Sequence, residues 1–256
     1  MYPVLIEIGH FHLRSYGVVV ALAFLAAAWV AGREARRRWM DPALVQDFLP
    51  YALLAGILGA RLYYVLVSQP GSYLERPWDV LAIWKGGLAV HGGILAGLGA
   101  AVWYARRNGL GVLAFADILT PGLVLGQALG QVACLLNGDS YGTPTGLPWA
   151  ITFTDPRALA PQGVPLHPLQ IYELLAYLGV FALVWVARRR LVRPGAVLAF
   201  YAGAYGTVRF FLEFLRADPP RLLGLVVPQA VSLALVAAAL LFAAGRGKRT
   251  PLAASR

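Results

Sequence analysis

Long apolar runs separated by short polar or basic breaks set the pattern of this chain. They cover about Tyr16 to Gly32, Phe48 to Val67, Gly87 to Tyr104, Phe115 to Asn137, Pro168 to Ala187, Ala196 to Leu215 and Leu223 to Ala244. Each is near the length of about 20 residues that carries a helix across a bilayer core. The longest polar run, Gly138 to Leu166, includes a strand-like stretch, Trp149–Thr154. The pattern predicts an all-α membrane protein with seven transmembrane helices, a single polytopic domain over residues 1–256, and a small extracytoplasmic head or flap over 138–166. Residues 1–15 read as a short amphipathic lead-in. They lack a basic n-region followed by a cleavage site, so no removable signal peptide is expected. Between the second and third runs, Ser68 to Lys85 carries the breakers Pro70, Gly71 and Pro77. No internal repeat of the inverted-repeat transporter kind is visible.

Charge orients the bundle. The basic clusters Arg33/Arg36/Arg37/Arg38, Arg106/Arg107, Arg188/Arg189/Arg190/Arg193 and Arg246/Lys248/Arg249 each follow an odd-numbered run. With the N-terminus outside and the C-terminus cytoplasmic, all four fall on the cytoplasmic side, as the positive-inside rule requires. The net charge of +10 is thereby explained as topology signals and anchors for anionic lipid. With 59% hydrophobic and 13% charged residues, and a mean hydropathy of +0.64, no large soluble domain fits, which excludes a soluble or nucleic-acid-binding protein. The single cysteine, Cys134, cannot form an intrachain disulfide and reads as a packing residue.

Polar residues within the runs carry the candidate chemistry. Trp84 to Gly97 places His91 at the start of an apolar span, where imidazole is costly and therefore points to function. The glycines at 86, 87, 92, 93 and 97 clear side chains so that a neighbouring helix or a lipid head group can approach the backbone. The plainer alternative is that His91 hydrogen-bonds another helix while the glycines pack. Given the topology, Tyr16, His91, Tyr172, Glu173 and Gln229 lie near the outer ends of their spans, and Arg61, Gln127, Gln131, Asn137, Arg209 and Glu213 in the outer halves of theirs. Of the inner halves, almost only Asp117 is polar. This distribution points to a polar cavity open to the outer leaflet beside the flap. Arg61 and Arg209 need anions there: either structural pairs, Arg209 with Glu213 and Arg61 with Glu173, or a phosphodiester gripped by guanidinium forks. Arg216 lies three residues beyond Glu213. Without a metal motif, a Gly-x-Ser-x-Gly elbow or a P-loop, the chemistry expected is general base catalysis with electrostatic stabilisation of a phosphate leaving group. An anion transporter is the rival, and it would call for polar residues through the inner halves as well.

Six pieces carry a family resemblance in order: Ser15-Tyr16-Gly17, Gly59 to Tyr64, Gly86 to Gly93, Asn137 to Gly142, His167 to Glu173 and Tyr205 to Arg216. On these, nearly the whole chain resembles the prolipoprotein diacylglyceryl transferase family. The resemblance implies a multi-pass bacterial inner-membrane enzyme that moves the diacylglyceryl group of phosphatidylglycerol onto the lipobox cysteine of preprolipoprotein signal peptides, releasing glycerol phosphate. No cofactor or metal is implied. Carried over by motif, His91 is the proton acceptor for the thiol, Tyr16 lines the site, and Arg209 with Glu213 forms the lipid clamp. Arg61, Gln131, Asn137, Gly142 and Tyr205 join Arg209 in binding phosphatidylglycerol. The chain departs from the family's usual signature at Gln131 and Cys134, where an arginine and an asparagine are usual. The lost charge is expected to be made up by Arg61 or Arg216; the alternatives are an altered lipid preference or a non-catalytic member that binds lipid or signal peptide.

Overall fold

The computed structural model describes residues 4–8, 11–68, 71, 73, 76–82, 86–217, 221–222 and 225–245. Among these lie seven α-helices: α1 (Ser15–Arg37), α2 (Ala43–Tyr63), α3 (Val90–Arg107), α4 (Val112–Asn137), α5 (Leu169–Ala187), α6 (Ala196–Leu212) and α7 (Val227–Ala244). Each coincides with one apolar run. α1 continues through Arg36 and Arg37 because arginine is a good helix former and its charge suits the C-terminal end of the helix dipole. α2 begins after Pro42, where the Asp41 carboxylate accepts from the Ala43 amide at 2.9 Å, and it ends in one wide π-turn, Tyr64–Ser68.

Among the described residues, five segments are long and apolar enough to cross a bilayer: Ser15–Arg37, Ala43–Val67, Val112–Asn137, Leu169–Ala187 and Val227–Ala244. α3 and α6, of 18 and 17 residues, fall short of that standard. α3 carries His91 in its glycine-rich first turn, and α6 carries Tyr201, Tyr205 and Arg209. Along α7, Ser232 is the one residue that is buried. A face so apolar and so bare is stable where hydrocarbon surrounds it, so the chain is a multi-pass membrane protein.

The chain forms two compact units. Residues 1–31 and 119–256 make the first. Its lead-in is a hairpin of β1 (Val4–Ile8) and β2 (Phe11–Arg14), paired Glu7 with His12, that runs directly into α1. Gly122 and Gly126 let α4 lie against α1: a Cβ at Gly122 would overlap the Ala27 carbonyl, and one at Gly126 would sit 3.2 Å from Ala27 Cβ. Gly206 does the same for α6 and α7, where a Cβ would lie 2.7 Å from the Ser232 carbonyl. Val124, Val180, Val184 and Val197 form the core between α4, α5 and α6. In the head, β3 (Ile151–Thr152) pairs antiparallel with β4 (Pro165–Leu166) over a small core of Phe153, Ala160 and Leu166. The strand expected over 149–154 is thus cut to its middle. Before α7 comes a further hairpin, β5 (Arg221–Leu222) and β6 (Leu225–Val226).

Residues 32–118 make the second unit. α2 and α3 cross backbone to backbone: a Cβ at Gly59 would lie 2.6 Å from the Gly92 carbonyl, and one at Gly93 3.2 Å from that of Gly56. Beneath them Phe48, Tyr104 and Phe115 pack ring on ring at 5.3 to 5.7 Å. Asp117, the isolated polar residue of the inner half, is fully buried and faces Arg38 at 3.5 Å; Arg38 and Arg37 also hold the buried Glu34 at 2.9 and 2.8 Å. These inner charges therefore neutralise one another.

Candidate functional site

In the second unit the site is built around the entry to α3. Gly86 and Gly87 both adopt left-handed backbone, with φ of +87° and +77°, which side chains other than glycine rarely take. A Cβ at Gly87 would lie 2.6 Å from Arg61 Nη1. The Ala89 amide then donates to the Ala60 carbonyl at 3.0 Å, and α3 starts at Val90, leaving His91 in its first turn. His91 is exposed, with the Tyr63 ring 6.1 Å away. Of the glycines in this stretch, 92 and 93 serve the helix crossing and 86 and 87 the turn, while a Cβ at Gly97 would meet no other element within 4 Å among the described residues. Trp84 and Lys85 lie outside the described residues, as do Arg246, Lys248 and Arg249.

Arg61 is where the structure departs from the expected phosphate contacts. It is 5% exposed. Its Nε donates to the Val80 carbonyl at 2.9 Å, Nη1 to Gly86 and Gly87 at 2.6 and 2.9 Å, and Nη2 to Asp79 and Ala82 at 2.5 and 3.4 Å. A guanidinium has five N–H groups, so none remains for a phosphodiester.

In the first unit two guanidinium groups alternate with two carboxylates. Glu173, on the second turn of α5, accepts from Arg209 and, at 2.9 Å, from Arg216. Glu213 meets Arg209 at 2.8 Å and Arg216 at 3.5 Å as charge contacts off the hydrogen-bonding angle. The spacing explains half of this quartet, since Arg209 and Glu213 are one turn apart. The other half needs α6 to end at Leu212 and the chain to turn through Glu213–Leu215 before Arg216 leaves extended. Glu173 and Glu213 are 1% and 2% exposed, so the ring is a desolvated, neutral set with its guanidinium edges only partly covered. Such burial is tolerable because every charge has an opposite neighbour. Tyr205 packs between Tyr177 and Tyr201 at 5.6 and 5.7 Å, and the Tyr201 hydroxyl donates to Gln127 at 2.8 Å.

The signature segment follows α4. Gly138 and Ser140 turn the chain with φ of +76° and +56°. Asn137 donates to the Asp139 carboxylate at 3.2 Å, and Gln170, 1% exposed, donates to the Asp139 carbonyl at 2.6 Å. The Cys134 thiol lies in hydrogen-bonding contact with Asp139 and Ser140, and half-buried Tyr16 is beside Cys134 and Asp139. Three oxygens around this segment, on Gln131, Asp139 and Gln170, are buried without a hydrogen-bond partner among the described residues. Next, Gly142 is laced between two neighbours: its amide donates to the His167 carbonyl at 3.1 Å, and the Thr143 amide to that of Leu215 at 2.8 Å. Above it, Trp149 of the head donates to the Tyr172 hydroxyl at 2.7 Å.

Of the expected site residues, Tyr16, Gln131, Asn137, Gly142, Tyr205, Arg209 and Glu213 belong to the first unit, and Arg61 and His91 to the second. Sequence reasoning missed Asp139, Gln170 and Tyr177, whose hydroxyl reaches Arg209. It also did not foresee Glu173 as the hub of two arginines. The clue for Gln170 and Glu173 was their spacing of three on the first turns of one helix.

The sequence model of the prolipoprotein diacylglyceryl transferase family matches residues 3–244. A phosphatidylglycerol–prolipoprotein diacylglyceryl transferase of Gloeobacter violaceus is 38% identical over 238 residues, covering 91% of this chain and 88% of its own. Proteins of the same name from an Azoarcus species and from Symbiobacterium thermophilum are 39% identical over 235 residues and 35% over 237, covering 88% and 91% of this chain and 86% and 88% of theirs. The chain belongs to the prolipoprotein diacylglyceryl transferase family.

Proposed function

We propose that this protein transfers the diacylglyceryl group of phosphatidylglycerol to the lipobox cysteine of preprolipoproteins, and that it does so in the bacterial inner membrane with seven spans, its N-terminus outside and its C-terminus cytoplasmic. The acceptor sulfur attacks the glyceryl carbon that carries the phosphate. The carbon–sulfur bond forms as the carbon–oxygen bond breaks, and glycerol phosphate leaves with the bond's electron pair. His91 takes the thiol proton, directly or through water, since thiolate is the competent nucleophile. Arg209 stabilises the charge that grows on the leaving phosphate. Arg216 supplies the second positive group where the signature has Gln131 in place of arginine. Tyr16, Asn137, Gly142 and Tyr205 shape the lipid site.

Family membership supports the reaction, and the observation that carries the assignment of roles is the buried ring of Glu173, Arg209, Glu213 and Arg216. Its carboxylates keep both guanidinium groups ionised and oriented before substrate arrives, so little reorganisation accompanies the charge shift. The test is transfer of labelled diacylglyceryl from phosphatidylglycerol to a synthetic lipobox peptide by the purified full chain. His91→Ala should abolish turnover, whereas a His91→Gln enzyme at the wild-type rate would remove the base assignment. Gln131→Arg should leave the rate within a few-fold if Arg216 compensates. A silent wild type rescued by Gln131→Arg identifies a degenerate site; silence from all variants identifies a binding protein.

A further inference from the structure

We infer that Arg61 is a positioning residue: it clasps the turn that launches α3 and thereby sets His91, and it makes no bond to the lipid phosphate. Five carbonyls, those of Asp79, Val80, Ala82, Gly86 and Gly87, take its five N–H donors one for one. A buried cation with no carboxylate against it among the described residues is expensive, and a full set of carbonyl dipoles is what makes this one stable. The two left-handed glycines explain how the turn serves it. With φ positive at both Gly86 and Gly87, successive carbonyls point to the same Nη1, and at Gly87 there is no Cβ to obstruct it. Four residues beyond Gly87 stands His91, after the Ala89–Ala60 hydrogen bond has tied the turn to α2 next to Arg61 itself. The Tyr73 ring covers the guanidinium at 5.2 Å. The clasp and the helix crossing at Gly59 and Gly92 together fix both the start and the tilt of α3.

The inference rests on the transferase reading only in naming His91 as the group positioned. It separates sharply from a phosphate-binding role. A lysine at 61 keeps the charge but offers three donors from one point, so it can serve a phosphate and cannot serve five carbonyls. The experiment is amide hydrogen exchange and transfer kinetics on the full chain in phosphatidylglycerol-containing micelles, comparing wild type with Arg61→Lys and with Gly87→Ala, which presses on the clasp from the opposite side. Both variants should speed exchange of the Ala89 and neighbouring amides by about tenfold or more while α5 and α6 stay as protected as in wild type. Both should lower kcat by about tenfold to a hundredfold with KM for phosphatidylglycerol within about threefold, because a misplaced base harms the chemical step and not lipid binding. Added guanidinium should restore part of kcat to an Arg61→Ala enzyme. The clasp is overturned if Arg61→Lys raises KM at wild-type kcat, if its exchange is unchanged, or if exchange rises uniformly in every helix. A wild type silent in transfer whose exchange responds as described would unseat the transferase reading and leave the clasp standing.

Discussion

Replacing Gly142 with alanine tests how the head and the ends of α5 and α6 are joined. A Cβ there would lie 2.6 Å from His167 Cβ, 2.9 Å from the His167 carbonyl oxygen and 3.0 Å from that of Leu215. Carbon atoms pack best at about 3.5 to 4.0 Å, so the closest overlap approaches an ångström. Two of the three obstacles are backbone oxygens already held by the Gly142 and Thr143 amides, and they cannot rotate away as a side chain would. Overpacking of this kind costs about 1–3 kcal/mol, and fixed backbone on both sides argues for the upper end. For a chain of this size that corresponds to a fall of about 5–10 °C in Tm. Function should suffer more than stability. The segment that must yield carries Arg216 one residue beyond Leu215, so widening the gap pulls Arg216 from Glu173. Gly179→Ala in α5 is the control, because its Cβ meets nothing within 4 Å and the change should be neutral or stabilising by up to about 1 kcal/mol. Thermal unfolding in detergent beside the peptide-transfer assay reads both effects. The reasoning fails if Gly142→Ala matches Gly179→Ala in Tm and in turnover.

Other positions yield equally definite expectations. Glu173→Gln leaves Arg209 and Arg216 sharing one carboxylate in a desolvated ring; removing one partner of a buried pair costs about 3–5 kcal/mol, so denaturant unfolding should show a loss near the lower figure, the amide keeping one acceptor, and turnover should fall at least about tenfold. Gly92→Ala should part α2 from α3 and lower both Tm and turnover, while Gly97→Ala, on the same helix with no neighbour within 4 Å, should do neither; equal effects in the two would refute the close crossing. In the head, hydrogen bonds from Arg157 hold the Asp155 carboxyl below the usual carboxylate range. A depressed carboxylate contributes above its ordinary pKa and is lost as pH falls through its folded one. Titration of Asp155 by carbon-detected NMR should therefore move upward in Arg157→Ala, and an unmoved midpoint would discount the pair.

The helices and their order were legible in the sequence because lipid imposes a one-dimensional rule, runs of about 20 apolar residues. The pairing of Arg209 with Glu213 was legible for the same reason, since a helical turn is a local fact. What the sequence left open depends on where chain segments distant in sequence come to rest. Arg61 and Glu173 look alike as candidates for an ion pair when only depth is known. In the tertiary structure the first is saturated by carbonyls of the segment that leads into α3, and the second is shared by Arg209 at the end of α6 and Arg216 just past the turn that follows it. The lead-in shows a smaller case, where Ile6-Glu7-Ile8 alternates as a strand does, yet only pairing with Phe11–Arg14 makes it one. Glycine makes the division plainest. Gly97 and Gly92 stand in one glycine-rich stretch, and the first meets open space while the second lies against the backbone of α2. Sequence determines that a side chain is absent; what comes to occupy the space is decided by packing, because close approach is a property of two surfaces and the chain writes only one at a time.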